Sequence, residues 1–183
     1  MTAHATSHDA AAIANDGLPI LPGAVLVAAT VVVGLVAGVF GIFSHTIMPG
    51  LRRTDDRTFV SAFQSIDAAI INPWFMAAFF GGLVLTGTAA ALLIRSGSGE
   101  VLPWIIGAFV LYFIAVVITM AVNVPLNDAI KAAGAPDRIR DLAEVRRNFN
   151  EAKWSAWNLA RTRISTVAFG CLAWALLLYR VRR

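Results

Sequence analysis

The chain has 183 residues, of which 58% are hydrophobic and 14% charged, with a mean hydropathy of +0.71; soluble domains carry roughly 45–50% apolar and about 25% charged residues. This composition excludes a disordered chain and an ordinary soluble domain. The single cysteine, Cys171, excludes a disulfide-stapled scaffold, and the pI of about 10.0 reflects a surplus of only +4, not a nucleic-acid-binding face.

The charges are clustered, leaving 17–51, 68–94, 101–127 and 164–179 without Asp, Glu, Lys or Arg. A hydrocarbon core about 30 Å thick takes about 20 apolar helical residues. The pattern therefore predicts an all-α protein, a four-transmembrane-helix bundle with spans near 22–46, 72–95, 101–124 and 160–180, in a single integral membrane domain 18–183. Residues 1–17 have no Lys or Arg and no hydrophobic periodicity, which predicts a disordered tail rather than a cleaved signal peptide.

Pro19 and Pro22 suit the start of the first span, in which Gly34 and Gly38 form a GxxxG spacing that lets another helix, from this chain or a second copy, approach closely. Residues 47–71 read as a loop. Asn72-Pro73 marks entry to the second span, and the polar turn 95–100 makes spans two and three antiparallel neighbours. Pro103 and Trp104 open the third. Residues 128–163 carry 13 charges in 36 positions, with Ile139, Leu142, Val145, Phe149, Ala152 and Ala156 at helical spacing. That predicts an amphipathic helix at the membrane surface, or one running directly into span four. The charge-free run 164–179 reaches only about 24 Å at 1.5 Å per residue, so Arg161, Arg163 and Arg180 must snorkel toward the interfaces. The loops 47–71 and 128–163 share one side and hold 11 of the 15 Lys and Arg. The positive-inside rule then predicts a multi-pass cell-membrane protein with cytoplasmic loops and outward termini, against which Arg180, Arg182 and Arg183 pull.

Alternating spans bring the end of span one (His45), the approach to span two (Gln64, Asp67), the end of span three (Thr119, Asn123, Asn127, Asp128) and the start of span four (Trp154, Trp157, Asn158, Arg161) to one end of the bundle. Polar groups at membrane depth are costly unless partnered, so they mark function more often than chance. Thr119, Asn123 and Asn127 repeat at i, i+4, i+8 around Pro125, which disturbs the helix there; Trp154, Trp157, Asn158 and Arg161 repeat at i, i+3, i+4, i+7. Two facing stripes of this kind suit a flat, oxygen-bearing aromatic ligand: amides bond carbonyl or hydroxyl groups and a guanidinium stabilises a phenolate or enolate. Interhelical Asn contacts, an interfacial Trp belt and a snorkelling Arg account for the same residues without a ligand. His45 has an imidazole suited to general-base work, or to a hydrogen bond at a helix end. No HxxxH, HExxH or CxxC spacing predicts a metal or haem, and His4 and His8 lie in the tail.

The blocks from Phe43-Ser44 to Met48-Pro49-Gly50-Leu51, Ala62-Phe63-Gln64-Ser65-Ile66-Asp67 with Asn72-Pro73-Trp74-Phe75, Asn123-Val124-Pro125-Leu126-Asn127, and Trp154 through Trp157-Asn158-Leu159-Ala160-Arg161-Thr162 resemble the anthrone oxygenase-like membrane family, DUF1772, over residues 25–178. Asp67 stands where the family carries Asn, and His45 where it carries an apolar residue. The resemblance implies oxidation of polyketide anthrones to anthraquinones by O2 without a cofactor. On that basis Arg161, Asn123 and Asn127 hold the oxyanion, Trp154 and Trp157 form walls, and Asp128 or Asp67 is the base, with Asn158, Gln64 and His45 as further binding residues. The partners expected are the lipid bilayer and an apolar aromatic molecule, with no nucleic acid and self-association left open. The competing class is a non-enzymatic membrane protein that binds or transports a small molecule or assists another subunit. Alternating access draws on broken helices in paired repeats, and only Pro125 interrupts a span here.

Overall fold

The computed structural model describes residues 20–95 and 99–181, and among them it contains helices and no strands. The expected tail at 1–17, the helix start at Pro19, residues 96–98 of the polar turn, and Arg182 and Arg183 lie outside them. Helix α1 (Ile20–Ile42) runs through a π-helical segment (Phe43–Ile47) into the short α2 (Met48–Leu51). Helices α3 (Asp56–Ile70) and α4 (Pro73–Arg95) follow, then α5 (Leu102–Ile118), a second π-helical segment (Thr119–Asn123) and α6 (Val124–Ala132). Helix α7 (Leu142–Phe149) and the long α8 (Glu151–Val181) complete the chain.

Four helices are long and apolar enough to cross a membrane: Ile20–Leu51, Pro73–Arg95, Leu102–Ala132 and Leu142–Val181. They form a ring in which α1 packs on α4 and α8, and α5 packs on α8 and, least closely, on α4. The inner face is a continuous apolar core that includes Leu26, Val33, Phe40, Phe79, Ile105, Tyr112 and Leu172. Val31, Leu35, Val84, Val110, Phe113, Val167 and Leu177 are exposed on the outside. A surface of that kind is stable only against hydrocarbon, so this is the organisation of an integral membrane protein. Exposed Trp74 and Trp157 sit at one end and Trp104 and Trp174 at the other, as interfacial anchors do. Trp157 therefore faces outward. Of the GxxxG pair, Gly34 faces the Phe169 ring, which would lie 2.9 Å from an added Cβ, while Gly38 is open. Close packing at Gly34 is thus within the chain.

Residues 47–71, expected as a loop, are largely helical. Asp55 starts α3 as its N-cap, accepting from the Thr58 backbone N–H at 3.0 Å and the Thr58 hydroxyl at 2.8 Å. These two donors hold its carboxyl below the ordinary carboxylate range. The cap is therefore fully formed above the unfolded carboxyl's pKa and weakens as pH falls through the lowered one. Phe59, Val60 and Phe63 recur on one face and are buried against Met48, Ile130, Phe149 and Trp154 in a second core at one end of the bundle. A charged helix of 15 residues carries no membrane signal in composition, and its tertiary partners lie far along the chain. In the stretch 128–163 the two expected alternatives combine: α7 is a short amphipathic helix, and α8 starts at Glu151, thirteen residues before the charge-free run at 164. Asn150, at φ 54°, separates them, and its Oδ1 caps α8 by accepting from the Lys153 N–H at 3.1 Å.

Arg146 ties this cap to the bundle. It donates to the Thr54 and Arg52 carbonyls at 2.9 and 3.2 Å, pairs with Asp56 at 3.1 Å and Glu151 at 3.3 Å, and lies 4.2 Å from the Phe59 ring centroid. Phe149 is fully buried, with its ring 4.5 Å from Phe63 and 6.3 Å from Trp154. Phe149→Ala should cost about 3–5 kcal/mol, since the cavity left among rigid rings cannot collapse. The measurement is the thermal midpoint in detergent; an unchanged value would show that the second core does not support the fold.

Candidate functional site

Both π-helical segments lie at the same end of the bundle, each followed two residues later by a proline, Pro49 and Pro125. Proline removes a backbone donor, and a widened turn accommodates the interruption without ending the helix. The disturbance expected at Pro125 is this turn. Side chains take up the polar groups nearby, from a facing helix at Asn158 and from within the same helix at Thr119. Asn158 donates to the Phe40 carbonyl at 3.0 Å and to Ser44 Oγ at 2.7 Å, and Thr119 donates to the Ala115 carbonyl at 2.8 Å.

Between these segments lies a cavity of about 360 Å³. Its walls are mostly apolar, with Phe40 from the end of α1, Phe43 from the π-helical segment after it, Phe63 from α3, Phe75 and Phe79 from α4, and Trp154 from α8. Four other lining residues carry the polarity: Asp67, Thr119, Asn127 and Arg161.

Arg161 is 5% exposed. Its Nη1 donates to Thr119 Oγ1 at 3.0 Å and its Nη2 to Asn158 Oδ1 at 2.6 Å, both neutral acceptors, while Nε has no partner. The guanidinium carbon stands 4.3 Å from the Phe40 ring centroid and 5.8 Å from that of Trp154. Among the described residues no carboxylate lies within 4.0 Å of it, in contrast to Arg52, Arg57 and Arg146, all of which are paired. Burying a cation costs several kcal/mol, and aromatic faces and neutral oxygens return only part of that. A fixed positive charge thus lies in the wall of an apolar space, with one N–H left without a partner.

Asp67 is the acidic lining residue. It is 5% exposed, and its Oδ1 accepts from Asn127 Nδ2 at 2.7 Å while Oδ2 lies 3.1 Å from Lys131 Nζ. Asn127 Oδ1 in turn accepts from the Trp154 indole N–H at 2.7 Å. Asp67, Asn127 and Trp154 form one hydrogen-bonded chain that holds the carboxylate and the indole wall in register. Asn123 sits one turn behind, its amide donating to the Trp154 carbonyl at 3.3 Å.

Of the residues singled out from sequence, Arg161, Asp67, Thr119, Asn127 and Trp154 line the cavity, and Asn158 and Asn123 support it from behind. The others lie apart. Asp128 is exposed and paired with Lys131 at 3.0 Å; His45 is exposed on the π-helical segment; Trp157 faces outward. Gln64 fastens α3 to the end of α6 by donating to the Ile130 and Gly134 carbonyls at 2.8 and 3.1 Å. A helix face spans only about a third of the circumference, so a shared level in the membrane does not place side chains on the inner side. Lys131 and the phenylalanine walls were missed. The spacing of Phe59, Phe63 and Asp67 carried the signal for α3, but only its packing over the end of the bundle makes a wall of it. No group of three or more His, Cys, Asp or Glu suited to a metal occurs among the described residues.

Fold and site together define a four-span helical membrane protein with an arginine-bearing apolar cavity near one membrane surface. A family model described as anthrone oxygenase matches residues 74–171, more than half of the sequence, and the chain belongs to that family. The matched range holds Thr119, Asn123, Asn127, Trp154, Asn158 and Arg161; Asp67, Gln64 and His45 precede it. No curated protein and no solved structure matches the chain.

Proposed function

We propose that this protein is a membrane oxygenase that takes an anthrone-type aromatic ketone and O2 to the quinone and water, using no bound cofactor. The observation that carries the reading is Arg161, a buried guanidinium in the wall of an aromatic-lined cavity with no carboxylate partner among the described residues. A charge left uncompensated in the resting site is available to a negative charge that develops on the ligand.

In the reaction, Asp67 takes a proton from the methylene carbon opposite the ketone. The C–H bond breaks, its electron pair delocalises onto the ketone oxygen, and Arg161 stabilises the resulting enolate. The electron-rich carbon bonds to O2, and protonation gives a hydroperoxide. Loss of the remaining hydrogen on that carbon with cleavage of the O–O bond leaves a second carbonyl and releases water. Oxygen gains the four electrons that the carbon loses. Asn127 is a positioning residue that orients the Asp67 carboxylate. Trp154 with Phe40, Phe63 and Phe79 keeps water from the anion. Lys131, beside Asp67 and 36% exposed, offers the captured proton a way to solvent. We further place the protein in the cell membrane with the Arg57, Lys131 and Arg146 side in the cytoplasm, following the distribution of basic residues.

The test is oxygen uptake by detergent-purified protein given anthrone or emodin anthrone, with quinone formation followed by absorbance. Uptake above spontaneous autoxidation that disappears in Arg161→Met is the expected result. Uptake no faster than autoxidation would remove the oxygenase reading and favour a non-enzymatic binding protein.

A further inference from the structure

The polar and apolar ends of the cavity differ in what they face. Arg161 and Asp67 are each 5% exposed and Phe79 and Trp154 each 3% exposed. Three other lining residues, Ile71, Phe80 and Met120, are 54%, 46% and 52% exposed, and all three are apolar. Phe80 lies in the second turn of α4 and Met120 in the π-helical segment that continues α5, both on membrane-crossing helices, so their outer surfaces meet hydrocarbon. They lie on neighbouring helices, α4 and the continuation of α5. Ile71 sits where α3 turns into α4.

On the side of α3 the cavity is covered by packed rings. Helix α3 lies over this end, fastened by Gln64 to the Ile130 and Gly134 carbonyls, and Phe59, Phe63, Phe149 and Trp154 pack beneath it with ring centroids 4.5 to 6.3 Å apart. These rings are at most 3% exposed.

We propose that the cavity opens sideways into the bilayer and takes an amphiphile from the lipid phase, with an aromatic carbonyl or phenol head at Arg161 and an aliphatic tail leaving between Ile71, Phe80 and Met120. The gradient of polarity along the cavity matches such a molecule end for end: a cation and a carboxylate-amide pair inside, and hydrocarbon-facing side chains at the mouth. A ligand confined to the cavity volume needs no exposed apolar exit, whereas a tailed ligand does. The proposal rests on the reading of Arg161 as the partner of the ligand oxygen, and on no step of the oxidation.

The experiment uses the full-length protein in phosphatidylcholine vesicles and two photoreactive aromatic ketones, para-hexadecyloxybenzophenone and the water-soluble benzophenone para-sulfonate. On irradiation the ketone oxygen takes a hydrogen atom from a neighbouring C–H and the two carbon radicals join, so the adduct marks where the ring sits. The expected result is that the tailed ketone labels the peptides carrying Phe63, Phe79 and Trp154 in preference to those carrying Val84, Val110 and Leu177, and that excess anthrone competes for this labelling. The sulfonate should leave the cavity unlabelled. Met120→Trp, a change at a half-exposed position, should lower cavity labelling by the tailed ketone about tenfold, the factor corresponding to about 1.4 kcal/mol. Labelling spread evenly over the lipid-facing residues would overturn the proposal. So would cavity labelling by the sulfonate equal to that by the tailed ketone, and this comparison needs no variant. Oxygen uptake without cavity labelling would overturn the lipid route alone; labelling without uptake would uphold the route and remove the oxygenase reading.

Discussion

Arg161→Met is expected to lower quinone formation by about a hundredfold to a thousandfold, the loss seen when a donor to a developing oxyanion is removed, without lowering the thermal midpoint. The combination follows from the surroundings of the guanidinium. Methionine keeps an unbranched chain of similar length beside Phe40 and Trp154 while removing a cation that has only neutral oxygens and rings for company. Thr119 keeps its bond to the Ala115 carbonyl. Asn158 Oδ1 loses its donor, at about 1–3 kcal/mol, but the several kcal/mol spent on burying the charge are returned. A purely structural Arg161 would give the opposite pattern, with the midpoint falling and turnover per folded molecule holding. Arg161→Lys should recover only part of the rate, since an ammonium cannot reach Thr119, Asn158 and a ligand oxygen together as a planar fork does. Initial rates per folded protein beside thermal melts in the same detergent decide the matter.

Asp67→Asn is expected to cut kcat by about 10²–10⁴-fold, the range for removing a positioned general base, with KM little changed. The amide matches the carboxylate in size and can still accept from Asn127, so the Asn127–Trp154 link and the shape of the wall survive. Lys131 keeps Asp128 at 3.0 Å. Binding is thus preserved while proton abstraction is not, and single-turnover rates separate the two. Full turnover in this variant would move the base off Asp67 and leave the role of Arg161 intact.

How far the site was legible in the sequence depended on which helix carried each residue. Trp154, Trp157, Asn158 and Arg161 lie on a single helix, and their spacing gave a shared face; Trp154, Asn158 and Arg161 turn inward, while Trp157, at the edge of that face, points outward. Thr119, Asn123 and Asn127 share a face by the same count, but the π-helical turn rotates the register between them. Thr119 and Asn127 consequently line the cavity while Asn123 reaches the Trp154 carbonyl behind it. Asp67 and Asp128 were indistinguishable as bases in the sequence, each an acid beside the same end of the bundle. Packing separated them: α3 turns Asp67 inward to 5% exposure, and α6 leaves the Asp128 side chain 61% exposed.

Composition by itself determined the class of fold. Four charge-free runs can satisfy their backbone groups in hydrocarbon only as helices, and nothing about tertiary contacts was needed to know it. The resemblance carried by the Asn123 to Asn127 and Trp154 to Thr162 blocks was likewise legible, because both blocks fall within the matched range 74–171. Only the tertiary structure decided that residues 56–70 form a helix packed on the end of the bundle rather than a loop, that no carboxylate among the described residues lies within 4.0 Å of Arg161, and that Phe80 and Met120 line the cavity while remaining exposed. The reason is physical: hydropathy records which solvent a segment prefers, a sum over its own side chains, whereas the partner of a buried charge and the mouth of a cavity are set by residues from other helices at distances no local pattern encodes.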